Sequence, residues 1–184
     1  MKKTLPNLKG KPYGGAECIY DPVTVEEVKN NIVPFPTIDL PQFLNDYKEW
    51  AFQGHDVSGL EYYEHLAYSN GTTEVFDKFY QVHSSKRLRL WRGEYFYHQI
   101  QAREVMREFS WIDEDDLREG DVVVVSMPFS DTGNIPTDYD KVMTRCTQLD
   151  IPVLIDMAYL NISVHTQFNL HYDCIQTIAT SLSK

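Results

Sequence analysis

Apolar positions first fall into a regular pattern after Asp39-Leu40-Pro41, a helix start in which Phe43, Leu44, Tyr47, Trp50 and Ala51 follow as one stripe. Ahead of it, Pro6, Pro12, Pro22, Pro34 and Pro36 disfavour long regular elements, so residues 1–60 are expected to form an N-terminal arm and cap helix. A loop with Gly54 and Gly59 ends that helix. Beyond about residue 64, short apolar runs alternate with amphipathic stretches, the pattern of parallel strands joined by crossover helices. The spacing predicts a strand at His65–Ser69, then a helix at Thr72–Val82 with Val75, Phe76, Phe79 and Tyr80 inward and a Glu74–Lys78 pair outward. A strand at Arg87–Trp91 precedes a helix from about Glu94 to Phe109 with Ile100, Val105, Met106 and Phe109 on one side, and an acidic turn at Asp113–Asp116 leads to a buried strand Val122–Ser126. Thr137-x-x-Asp140 reads as a capping box for a helix carrying Tyr139, Val142, Met143, Cys146 and Leu149, and strands at Pro152–Asp156 and Cys174–Thr180 complete the series. Residues 61–184 are therefore expected to be one α/β domain, a mostly parallel, doubly wound sheet with flanking helices.

Charge narrows the partners. Seventeen basic against 27 acidic side chains give a net charge of −10, which repels nucleic acid and anionic membranes, so neither is an expected partner. No apolar run approaches a membrane span, and Met1-Lys2-Lys3 leads into no apolar signal segment. Cys18, Cys146 and Cys174 have no C-x-x-C spacing, which fits a reducing, cytoplasmic setting. The six histidines lack metal-ligand spacing, so no metal is expected. Alternating Arg and Leu across Lys86–Arg92 reads as a half-exposed strand rather than a nucleic-acid surface.

Open α/β sheets bind ligands beyond the carboxyl ends of their strands, so the residues that follow each strand are the candidates. Gly71-Thr72-Thr73 opens a helix whose first N–H groups and dipole suit an anion. Met127-Pro128-Phe129-Ser130-Asp131-Thr132-Gly133 is a turn-rich segment after the next buried strand. Asp156-Met157-Ala158-Tyr159 sets a carboxylate at the mouth of the sheet, where its charge requires a cation or donor. Ser181-Leu182-Ser183-Lys184 brings two hydroxyls and an amine to the same end, and a desolvated amine is a Schiff-base nucleophile.

In their order and spacing these four strand ends resemble the large domain of fold-type I pyridoxal-phosphate enzymes, the aspartate aminotransferase superfamily, over about residues 64–184. The family's D-x-A-Y and S-x-S-K motifs are matched in full by Asp156-Met157-Ala158-Tyr159 and Ser181-Leu182-Ser183-Lys184. The resemblance implies pyridoxal 5′-phosphate as cofactor, with Lys184 as its Schiff-base residue and proton carrier, Asp156 paired with the pyridine nitrogen, and Tyr159 donating to the ring's O3′. It further implies that Ala158 lies beneath the ring and that Gly71, Thr72 and Thr73 hold the phosphate, helped by Ser181 or Ser183. Tyr95 is the expected stacking aromatic, with Phe96 and Tyr97 as alternatives or as core. An aminotransferase is implied, moving an amino group between an amino acid and a 2-oxo acid, in a homodimer.

Two departures qualify that likeness. Ser130 stands where the family's NPTG loop has its asparagine and Asp131 where it has proline, so that only Thr132-Gly133 survives. The chain also stops on Lys184, ahead of the family's small domain and its arginines, so it is expected to be the first part of a longer polypeptide. Another reaction of the same cofactor (a lyase, decarboxylase or condensing synthase) and a non-catalytic binding module are the alternatives.

Overall fold

The computed structural model describes residues 21–31, 38–104 and 108–182. Contacts divide the chain into two units, 1–38 and 39–184. In the first, α1 (Pro22–Asn30) starts on Asp21, whose carboxylate accepts from the amides of Val23 and Thr24, with Pro22 in the first turn, where its missing N–H costs nothing.

The second unit opens with α2 (Leu40–Phe52), capped by Asp39 through the Gln42 amide. Its stripe is narrower than the spacing predicts: Ala51 is buried, but Trp50 is exposed. Next comes β1 (Asp56–Ser58), which pairs in parallel with β6 (Gln167–Asn169). Gly59 follows at φ +88°, and a Cβ there would lie 2.5 Å from the His171 amide nitrogen, so only glycine fits this approach.

The main sheet has the order β3-β2-β4-β5-β7, all parallel. Its strands are β2 (Arg87–Leu90), β3 (Phe109–Trp111), β4 (Asp121–Ser126), β5 (Val153–Met157) and β7 (Ile175–Thr180), and its helices are α3 (Thr72–Val82), α4 (Phe96–Glu104) and α5 (Tyr139–Gln148). Alternate residues of β4 enter opposite cores. Val122 and Val124 pack with Phe76, Phe79 and Leu154, while Val123 and Val125 pack with Met143, Cys146 and Ile155. A sheet buried on both faces explains the unbroken valine run, and the α/β architecture expected from the sequence is present.

Several expectations are corrected. Residues 65–69 form no strand: they are largely exposed, and no described strand lies alongside to take their backbone hydrogen bonds. Phe109 begins β3 rather than ending a helix, and α4 ends at Glu104 among the described residues, with Val105 and Met106 outside them. No capping box forms at Thr137–Asp140. The helix starts at Tyr139, because the Asp138 carboxylate accepts from Trp91 Nε1 at 2.8 Å and Asp140 from the Tyr172 hydroxyl at 2.8 Å. Nor is β2 half-exposed, since Arg87 and Arg89 are buried beside both leucines.

Candidate active site

The chain runs from β2 to β3 on one side of the sheet and returns to β4 on the other, so the strand order reverses between β2 and β4, the crevice where open α/β sheets take ligands. Beside it, Asp156 lies in the carboxyl-terminal half of β5, in register with Ser126 of β4 and Ala179 of β7. Its carboxylate is only 4% exposed and accepts from the Ala158 amide at 2.9 Å. His98 Nε2 is 3.7 Å from the other carboxylate oxygen and makes no hydrogen bond, while its Nδ1 pairs with the Tyr80 hydroxyl at 2.7 Å. Tyr95 meets His98 edge-on, ring centres 5.7 Å apart, which brings the expected stacking aromatic to the neighbourhood of Asp156. His98 escapes a reading that tests histidines only for metal spacing. The available signal was its place on the first turn of the helix that follows Tyr95.

Across the reversal point, Glu94 joins the loop after β2 to the end of β4. One carboxylate oxygen accepts from the Tyr95 amide at 2.8 Å and from the Ser126 hydroxyl; the other accepts from the Ser126 amide at 2.9 Å. Ser126 Oγ in turn accepts from the Ser130 amide at 2.9 Å, so this brace extends to the 127–134 loop. Gly93 lies against the same loop at φ +89°, where a Cβ would come within 2.8 Å of the Asp131 side chain. Ser130 itself is exposed and joins the network through its backbone.

Burial pushes the Glu94 carboxyl above the ordinary glutamate value of 4.5, against the opposing pull of His98 and of the hydrogen bonds from Ser126 and Tyr95. The folded protein then binds more protons than the unfolded chain between that ordinary value and the raised one. This contribution to stability is complete below the window and is lost as pH rises through it. Urea midpoints of the native chain should fall with rising pH across the window, and Glu94→Gln should remove that part of the slope. An unaltered slope in the variant would rule Glu94 out as its source.

A cavity of about 670 Å³ opens beside β7, lined among others by Tyr47, Gly71, Met157, Thr180 and Ser181. Gly71 stands at φ +115° ahead of α3, and no side chain caps that helix start. Gly71 and Ser181 therefore share one cavity, whereas Thr72, Thr73, Tyr95, Ser130, Asp156, Ala158 and Tyr159 do not line it. Ala158 is buried and Tyr159 is 40% exposed. Ser183 and Lys184 lie outside the described residues. Among the described residues no three His, Cys, Asp or Glu side chains converge as metal ligands, and no helix is long and apolar enough to cross a membrane.

No family model matches the chain, and no curated protein matches it by sequence. Solved structures do. The chain is similar to L-threonine-O-3-phosphate decarboxylase from Porphyromonas gingivalis, with 16% identity, a TM-score of 0.51, 62% of this chain covered and 38% of that one. It is similar to a PLP-bound C-S lyase from Staphylococcus hominis complexed with L-cycloserine, with 12% identity, a TM-score of 0.55 and coverage of 87% and 46%. It is similar as well to histidinol-phosphate aminotransferase from Clostridium acetobutylicum, with 17% identity, a TM-score of 0.53 and coverage of 88% and 51%. The chain thus spans between 38% and 51% of the length of these three. At such identities the likeness is one of architecture: a mostly parallel sheet flanked by helices, shared with these enzymes.

Proposed function

We propose that the chain is the cofactor-binding part of a pyridoxal 5′-phosphate enzyme, an aminotransferase that moves an amino group between an amino acid and a 2-oxo acid. The observation that carries this reading is the buried carboxylate of Asp156 at the mouth of the sheet. It stands one strand from β7, whose continuation leads to Lys184, in a fold shared with an enzyme described with PLP bound. Three features support a fit to this group. Asp156 supplies a negative charge for a protonated ring nitrogen, Tyr95 an aromatic face close by, and the uncapped start of α3 at Gly71, Thr72 and Thr73 a set of N–H donors for phosphate.

When bound, the cofactor supplies an aldehyde for amines and a ring that accepts electrons from the substrate's Cα. The chain does the rest. Lys184 would offer the amine that meets the aldehyde and would carry the proton, Asp156 would hold a positive charge on the ring nitrogen, Tyr159 would donate to the ring oxygen, Ala158 would leave room for the ring, and Ser181 and Ser183 would assist at the phosphate. A homodimer in the cytoplasm belongs to the same reading. Ser130, exposed and engaged through its backbone in place of an asparagine, favours a different reaction on this cofactor as the second reading, a lyase or decarboxylase.

The test is to incubate the purified chain with pyridoxal phosphate, reduce with borohydride and map the peptides. Reduced cofactor is expected on Lys184; its appearance only on other lysines, or on none, removes the cofactor reading. With a panel of amino acids, conversion of the cofactor to its amine form is expected. Product release without that conversion favours the lyase or decarboxylase.

A further inference from the structure

His98 has no exposure to solvent, and aromatic rings enclose it: Phe76 of α3 meets it edge-on with ring centres 4.8 Å apart, Tyr95 at 5.7 Å and Tyr97 at 6.1 Å. These rings fix the plane of the imidazole. Which nitrogen carries the proton is settled by the polar groups at its two ends, the Tyr80 hydroxyl 2.7 Å from Nδ1 and the Asp156 carboxylate 3.7 Å from Nε2. Tyr80 follows Phe76 by four residues on one face of α3, so a single helix supplies both a wall of the cage and its hydroxyl. Packing alone gives no reason for a histidine here. Nε2 is buried without a hydrogen bond, a cost that an apolar ring in the same cage would avoid at that position.

A carboxylate accepts hydrogen bonds and donates none. A bare Nε2 would turn its lone pair toward Asp156, whereas Nε2–H turns a positive hydrogen toward it. The second arrangement leaves the lone pair on Nδ1, where the Tyr80 hydroxyl stands ready to donate. The bond dipoles then run one way, from phenol through imidazole to carboxylate. One Asp156 oxygen is already taken by the Ala158 amide at 2.9 Å. The other, 3.7 Å from Nε2, is beyond hydrogen-bond length, so it is drawn toward the imidazole yet still open to a further donor. We propose that Tyr80 is a positioning residue that acts through His98, holding the imidazole proton on Nε2 so that the ring steadies the open oxygen of Asp156. Its effect on the reaction rests on the reading of Asp156 as the counter-charge of the cofactor ring; the place of the proton does not.

Nitrogen NMR of the chain labelled at histidine reads both ring nitrogens directly, with His98 assigned by the signals lost in His98→Gln. In the unsubstituted chain Nε2 is expected at the shift of an N–H nitrogen and Nδ1 at that of a bare one. Tyr80→Phe keeps the ring and removes the donor, so the ratio of the Nε2–H to the Nδ1–H form should fall about five- to tenfold, the equivalent of one hydrogen bond. Tyr97→Phe is the control: it removes the hydroxyl of another ring against His98, one that donates to Asp77 at 2.8 Å, and the His98 signals should not move. A proton on Nδ1 in the unsubstituted chain, protons on both nitrogens, or an unchanged pattern in Tyr80→Phe overturns the proposal. With pyridoxal phosphate added, the spectral change brought about by amino acids should slow about three- to tenfold in Tyr80→Phe, and adding Tyr80→Phe to Asp156→Asn should slow it no further, because both act on one carboxylate. A further loss in the double variant overturns the positioning role. If the unsubstituted chain shows no spectral change while His98 keeps its proton on Nε2, the cofactor reading falls and takes the effect on the reaction with it, and the placing of the proton by Tyr80 stands.

Discussion

Asp121→Ala is expected to destabilise the protein by about 3–5 kcal/mol, a large share of the roughly 5–15 kcal/mol that holds a domain of this size folded. Asp121 opens β4 with no exposure to solvent and gathers four donors: Arg87 Nε at 2.7 Å and Nη2 at 3.0 Å, Arg89 Nη1 at 2.9 Å, and the Arg118 amide at 3.1 Å. Arg89 is wholly buried and spends its other contacts on the carbonyls of Trp111, Asp115 and Asp116 and on the Asp115 carboxylate at 2.9 Å. Without Asp121, two buried guanidinium groups would face Asp115 as their remaining charged partner, and Asp115 is half in solvent. The asymmetry of the pair gives a second check. Arg89→Met leaves Asp121 paired with Arg87 and fills the site with apolar volume, so it should cost much less than Asp121→Ala. Acid should act on the same group. Burial pushes the Asp121 carboxyl up, but hydrogen bonds from Arg87, the Arg118 amide and Arg89 pull it further down, leaving it below the ordinary aspartate value of 3.8. Its contribution is therefore present above the ordinary range and is lost as pH falls through the lowered value. Urea unfolding of the two variants at neutral pH decides the matter; a loss below about 1 kcal/mol for Asp121→Ala would show that the cations find other partners.

This cluster also marks where the sequence stops being legible. Alternating Arg and Leu at 87–90 carries no sign that β2 has neighbours on both sides, since that depends on β3 and β4, which lie 20 to 35 residues away. Elements whose periodicity is local and long enough were readable: α3 at Thr72–Val82, with Phe76, Phe79 and Tyr80 inward, the buried strands β4 and β5, and the partly buried β7. Three-residue strands such as β1, β3 and β6 are too short to show an alternation and exist only because a partner aligns with them. At the site, Asp156 was legible because a carboxylate directly after an apolar strand conflicts with its surroundings. Glu94 and His98 were not, because both look like ordinary loop and helix residues until the reversal of strand order brings Ser126 and Asp156 to them.

Asp156→Asn is expected to slow the proposed reaction by 10²–10³-fold while leaving the fold intact. The amide keeps the shape of the side chain and an oxygen to accept from the Ala158 amide, so the turn after β5 retains its hydrogen bond. What disappears is the charge. Without it nothing on this strand end favours a proton on the ring nitrogen, and the ring withdraws electrons from the substrate's Cα less strongly. The variant should still place reduced cofactor on Lys184 after borohydride, because attack by the amine on the aldehyde does not pass through the ring nitrogen. The spectral change brought about by amino acids should slow in the variant, and that separation of two readouts distinguishes an electronic role from a structural one. If Asp156→Asn lost both together, the carboxylate would be holding the turn; if it lost neither, the cofactor would sit elsewhere and the buried charge would belong to the His98–Tyr80 pair alone.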